Sequence, residues 1–116
     1  MAPAERVICD SAALVEAGDG VRFEVQHAGG TQPAFVVRHD GAPRAYLNRC
    51  AHVPMELDWM PGKFFDSSET VLVCSTHGAL YDPATGECVG GPCRGARLTA
   101  LDVAERDGVV VLRTAP

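Results

Sequence analysis

Two short segments place metal-ligand side chains at close spacing. Cys50-Ala51-His52 and Cys74-Ser75-Thr76-His77 each set a thiolate donor beside an imidazole donor. Two thiolates and two imidazoles form a complete ligand set for a soft or borderline metal. Their order carries information. Structural zinc sites usually set a pair of cysteines against a pair of histidines, or use four cysteines. Here each segment supplies one Cys and then one His. That order suits a dinuclear iron–sulfur centre in which one iron takes both thiolates and the other takes both imidazoles, so that each segment spans the two irons. Zinc stays open at this point, because the same donors bind it well.

Such a site needs loop tips that converge, and the flanking sequence offers a strand before each. Arg44-Ala45-Tyr46-Leu47-Asn48 precedes the first segment and Thr70-Val71-Leu72-Val73 the second. Elsewhere strand signals also dominate. Val7-Ile8-Cys9 is a short apolar run, with Cys9 expected in a strand core. Val21 to His27 alternates, with Val21, Phe23 and Val25 on one face. Ala28 to Pro33 reads as a turn and Ala34 to Arg38 as the next strand. Asp40-Gly41 marks a hairpin. Arg97 to Val103 alternates, and Asp107-Gly108 turns the chain into Val109 to Arg113. The helical candidate is Ser11 to Ala17, with a Ser start and Gly18 as a stop. Short strands between Gly/Pro turns predict an all-β sandwich or barrel. Residues 48–95 are rich in Cys, His, Gly and Pro, and read as a loop-built subdomain inserted in a β base of residues 1–47 and 96–116. The whole chain, 1–116, is then one domain.

Composition excludes several functions. A net charge of −5 opposes nucleic-acid binding, which needs a basic surface. No apolar stretch is long enough to cross a membrane, and Met1 to Arg6 lacks a basic-then-apolar leader, so a cytoplasmic location is expected. In that reducing setting the five cysteines read as metal ligands plus buried thiols. Cys88 and Cys93 are therefore expected as small buried side chains in a tight turn, not as a disulfide. His27 and His39 are expected to face solvent. Asp82 to Gly86 reads as a turn. Asp58, Asp66 and Glu69 read as a solvated loop face, able at most to meet a basic partner. The long segment 53–73 holds Trp59, Met60, Pro61, Phe64 and Phe65. It is expected to pack as a local core, with an apolar docking rim as the alternative.

Taken together, Cys50-Ala51-His52, Cys74-Ser75-Thr76-His77-Gly78-Ala79-Leu80-Tyr81-Asp82, Gly86 and Gly91-Pro92 resemble the Rieske pattern. The resemblance implies a Rieske-like antiparallel β-sandwich or barrel base with a cluster-binding subdomain. It implies one [2Fe–2S] cluster per chain, with Cys50, His52, Cys74 and His77 as ligands. Around them it implies Tyr81 as a donor to a ligand sulfur, and Gly78, Gly91 and Pro92 in the cover of the cluster. The respiratory relatives carry a further Cys in each ligand loop, where this chain has Met55 and Thr76, and a Ser where it has Ala79. The resemblance therefore points to small bacterial ferredoxins that pass electrons from a flavin reductase to a terminal oxygenase or reductase. Other readings are a small subunit of a nitrite-reductase-type complex and, further off, a zinc-binding interaction module. On the electron-carrier reading the chain catalyses no reaction of its own, and its partners are redox proteins.

Overall fold

The computed structural model describes residues 4–27, 29–50, 55–58, 60–74, 78–93 and 95–114. His52, Trp59 and His77 lie outside them. The strands are β1 (Ala4–Asp10), β2 (Val21–His27), β3 (Gly30–His39), β4 (Ala42–Leu47), β5 (Leu72–Cys74), β6 (Ala79–Tyr81), β7 (Cys88–Gly90), β8 (Ala100–Leu101), β9 (Val103–Arg106) and β10 (Val109–Thr114). They form three antiparallel sheets, ordered β1-β10-β9, β2-β3-β4-β8 and β5-β6-β7. The all-β expectation holds. The expected hairpins at Asp40-Gly41 and Asp107-Gly108 are also present.

β3 organises the molecule. Its run Ala34-Phe35-Val36-Val37 is buried throughout, so both faces of this strand are covered. Alternate side chains serve different cores. Ala34 and Val36 face cores shared with Leu112 and Val110 of β10. Phe35 and Val37 face a core shared with Leu57, Phe64, Leu72, Cys74 and Tyr81. One strand thus joins the scaffold to the segment that carries the candidate ligands. Burial of each Val, Leu or Phe among them contributes roughly 1.5–3 kcal/mol. Phe64 stacks on Phe35 with ring centroids 3.9 Å apart. It fits there because Gly20 lacks a Cβ, which would stand 2.7 Å from the Phe64 ring.

Three local expectations are revised. The helix over Ser11 to Ala17 shrinks to a 3₁₀ turn over Ser11–Ala13. The Arg38 guanidinium takes the carbonyls of Leu14, at 2.8 Å, and Ser11, at 3.2 Å, the acceptors a continuing helix would have used. The strand over Arg97 to Val103 breaks at Asp102. β8 pairs with β4, whereas β9 pairs with β10, and the Asp102 carbonyl accepts from Arg113 N–H at the crossing between sheets. The third revision is that β5, where a strand was expected, pairs with β6 and β7 in a small sheet of its own within the segment otherwise read as loop.

Candidate metal centre

Cys50 follows β4 by three residues and is 3% exposed; Cys74 ends β5 and is fully buried. Both belong to one buried cluster, with Ala79, Tyr81 and Cys93. Each cysteine also stands at the neck of its segment. Cys50 N–H donates to the Met55 carbonyl at 2.7 Å, and the Cys74 carbonyl accepts from Gly78 N–H at 2.8 Å. The intervening 51–54 and 75–77, with both histidines, lie outside the described residues. Among the described residues, no three ligand-type side chains meet.

Tyr81 links the two halves. It sits on β6 opposite Leu72, fully buried. Its hydroxyl lies 3.2 Å from the Cys50 sulfur. Either group can donate in this contact; with Cys50 bound to a metal as a thiolate, the phenol would donate. Ala79, where a serine was absent in the sequence, pairs with Cys74 and is fully buried. Gly91 closes the other side. Its φ is +79°, and a Cβ on it would stand 2.6 Å from the Gly78 carbonyl oxygen. Only glycine permits that approach of loop on backbone. Pro92 follows it, exposed. Two sulfurs buried in one cluster, a phenol aimed at one of them and a backbone lid against Gly78 fit a thiolate-ligated iron.

A polar lock that the sequence did not announce fixes the exit from β4. The Asn48 side-chain amide donates to Asp58 at 2.8 Å, and its carbonyl accepts from Leu57 N–H at 2.9 Å. Asp58 also accepts from Gly62 N–H at 2.9 Å and meets the Arg22 guanidinium at 3.3 Å. Its side chain is fully buried, so the expectation of a solvated loop face fails for Asp58; Asp66 lies at intermediate exposure and Glu69 is exposed. No local pattern marks an aspartate in this segment as buried, because its partners lie on other parts of the chain.

The cysteine reading also changes. Cys88 and Cys93 form a disulfide, with S–S 2.10 Å, instead of the two thiols expected. Cys9 packs against the β1-side core as expected, and burial raises its thiol pKa. His27 is exposed, whereas His39 is half-buried. The long segment does not form the separate local core expected: Phe64 joins the main core with Phe35, Phe65 packs against it, and Met60 and Pro61 are exposed, as is Met55. A groove of about 410 Å³ borders Cys50, and its charged lining is Arg49 and Arg97 with His27 beside them. Arg97 meets Glu87 at 3.2 Å on the surface. Two other grooves include carboxylates, Asp19 and Glu69 in one and Glu24 and Glu56 in the other.

The all-β fold and the buried sulfur pair define a β protein with a candidate thiolate metal site, and comparison with known proteins gives the family. The Rieske [2Fe–2S] domain matches residues 5–113. The chain belongs to that family, which makes a [2Fe–2S] cluster its cofactor and one-electron transfer its class of chemistry. Among solved structures, the Sphingomonas yanoikuyae B1 ferredoxin superposes with a TM-score of 0.70 at 23% identity, over 96% of this chain and 99% of that one. The ferredoxin of carbazole 1,9a-dioxygenase from Nocardioides aromaticivorans IC177 gives 0.70 at 22%, over 97% and 99%. A fluorene-bound oxygenase and ferredoxin complex of carbazole 1,9a-dioxygenase gives 0.74 at 20%, over 93% of this chain but 28% of the matched chain. A search among curated proteins returned no match. Among the described residues no helix is long and apolar enough to cross a membrane.

Proposed function

We propose that this chain is a ferredoxin that carries single electrons from a flavin reductase to a terminal oxygenase. Cys50 and Cys74 would hold one iron, and His52 and His77 the other. The observation that carries the reading is the Tyr81 hydroxyl, 3.2 Å from the buried Cys50 sulfur in the same cluster as Cys74. The match over 99% of two ferredoxins supports it. A further match spans 95% of a chain in a complex of reduced oxygenase and oxidized ferredoxin of carbazole 1,9a-dioxygenase, which supports an oxygenase as acceptor. The expected subdomain of residues 48–95 and a cytoplasmic setting belong to the same proposal.

The cluster, when bound, supplies the one-electron couple. The chain's own residues have other tasks. Cys50 and Cys74 keep their sulfurs out of water. Tyr81 holds a proton toward the Cys50 sulfur, which favours added negative charge there. Ala79 offers no hydroxyl, so one donor found in respiratory relatives is missing, and the potential falls in the lower part of the roughly −150 to +300 mV range. The chain transforms no substrate itself.

Aerobically purified protein should be brown, contain two irons and two acid-labile sulfides per chain, and show a rhombic paramagnetic signal on reduction. His52→Ala and His77→Ala should each abolish that signal. A colourless protein containing zinc, or an unchanged signal in either variant, would defeat the proposal. With a cognate reductase and oxygenase, turnover should depend on this chain.

A further inference from the structure

We propose that the Cys88–Cys93 disulfide is a clamp that holds the 88–93 loop down on the candidate metal centre, and so positions its lid and its Tyr81 donor. This rests on the electron-carrier reading for its consequence, but not for its geometry. The disulfide joins the two ends of the segment Val89-Gly90-Gly91-Pro92, with Cα atoms 5.7 Å apart. Two contacts tie that segment to the site. At its tip, Gly91 lies against the backbone of Gly78 and Ala79, the residues that follow His77. At its base, Cys88 pairs with Tyr81 across β6 and β7, and the register slips between Leu80 and Tyr81. The Tyr81 hydroxyl in turn meets the Cys50 sulfur.

Besides the disulfide, a short ladder holds the loop, with Gly90 opposite Leu80 and Cys88 opposite Tyr81. β7 is three residues long, and Val89, Gly91 and Pro92 are exposed. Val89 presents 56% of its surface to solvent, so it anchors nothing. The inner end is different: Cys93 is 2% exposed and belongs to the core of Cys50 and Cys74. The disulfide therefore fastens an exposed edge to a buried post. Two backbone bonds through Ala96 back the post, Cys88 N–H to the Ala96 carbonyl at 3.0 Å and Ala96 N–H to the Cys93 carbonyl at 2.9 Å. A cross-link limits the open states of the short loop it closes. Without it, the lid opens more often over Gly78, and the Tyr81 strand loses its fixed neighbour.

The test compares the native protein with the Cys88→Ser/Cys93→Ser double variant. Mass spectrometry of untreated native protein should show a chain lighter by two hydrogens than its reduced form; two free thiols would overturn the proposal. Amide exchange at Gly78, Ala79 and Tyr81 should speed up about 30-fold in the variant, equivalent to about 2 kcal/mol at 1.4 kcal/mol per tenfold, while β2 and β3 amides keep their rates. Iron loss to a chelator should accelerate in parallel. Rates within twofold of native at Gly78 to Tyr81 would overturn the clamp. If the variant does not fold, dithiothreitol on folded native protein replaces it. One thiol attacks the half-exposed Cys88 sulfur, Cys93 leaves as thiolate, and the second thiol closes the reagent to a cyclic disulfide. Two electrons and two protons thus reach the protein, and the same exchange rates decide. Native protein without iron would defeat the electron-carrier reading, while the exchange comparison would still judge the clamp.

Discussion

Replacing Tyr81 with Phe removes one oxygen from the candidate centre and keeps the ring. Tyr81 is fully buried on β6, so its aromatic packing survives the change. What is lost is the donor 3.2 Å from the Cys50 sulfur. An electron added to the centre increases negative charge on the sulfurs, so the donor stabilises the reduced state more than the oxidised one. Hydrogen bonds to charged acceptors contribute roughly 1.5–3 kcal/mol, and those to neutral ones roughly 0.5–1.5. The difference, about 1 kcal/mol, approximates the gain on reduction; at 1.4 kcal/mol and 59 mV per tenfold for one electron it gives about 40 mV. The potential of Tyr81→Phe should therefore fall by about 40 mV in a titration followed by electron paramagnetic resonance. Tyr46→Phe is the internal control. Tyr46 is also buried, but its hydroxyl donates to the Pro83 carbonyl at 2.7 Å, and burial pushes its pKa up to about 12. Its loss should leave the potential unchanged. A potential that rises in Tyr81→Phe, or that falls equally in both variants, would refute the reasoning, because a general loosening of the core would then explain the effect.

Asp58→Ala should cost about 2–3 kcal/mol and lower the thermal midpoint by about 10 °C. It orphans Gly62 N–H and strips Asn48 of its nearer acceptor, although Glu56 stays within 3.2 Å of that amide; a loss below about 1 kcal/mol would count against the lock. Glu105→Gln reports on pH. The Arg38 guanidinium lies against both oxygens of Glu105, at 3.0 and 2.6 Å, and holds its carboxyl at about 2, well below the usual range. A lowered carboxylate pKa contributes stability that is complete above the unfolded value and is lost as pH falls through the folded one. The gap in thermal midpoint between native and variant should thus be constant near neutrality and close as pH falls from about 4.5 to about 2; a constant gap across that window would contradict the pairing. Arg49→Glu tests the groove beside Cys50. It should slow oxidation of the reduced protein by hexacyanoferrate(III) several-fold at low salt and hasten oxidation by a cationic cobalt complex, with both effects gone at ionic strength of about 1 M. Changes of the same sign with both oxidants would rule out electrostatic steering.

How legible the centre was depends on how local its determinants are. The cysteine spacing, Tyr81 and Gly91-Pro92 lie within short segments, and a reader of the sequence can weigh them without knowing the fold. The hairpin turns were legible for the same reason: Asp40-Gly41 and Asp107-Gly108 encode their own backbone geometry. Asp58 was not legible, because the Asn48, Gly62 and Arg22 groups that make its burial tolerable reach it from just beyond β4, from four residues on and from β2. The lost helix has the same origin, since Arg38 intercepts its carbonyls from 24 residues away. The disulfide shows a different limit. Compartment argued for thiols, but proximity at a sequence separation of 5 is set by the loop that must pass over Gly78. With Gly91 on that backbone, the Cα atoms of Cys88 and Cys93 stand 5.7 Å apart. The fold thus places two sulfurs within bonding reach, and the bond between them then limits how often the lid can lift.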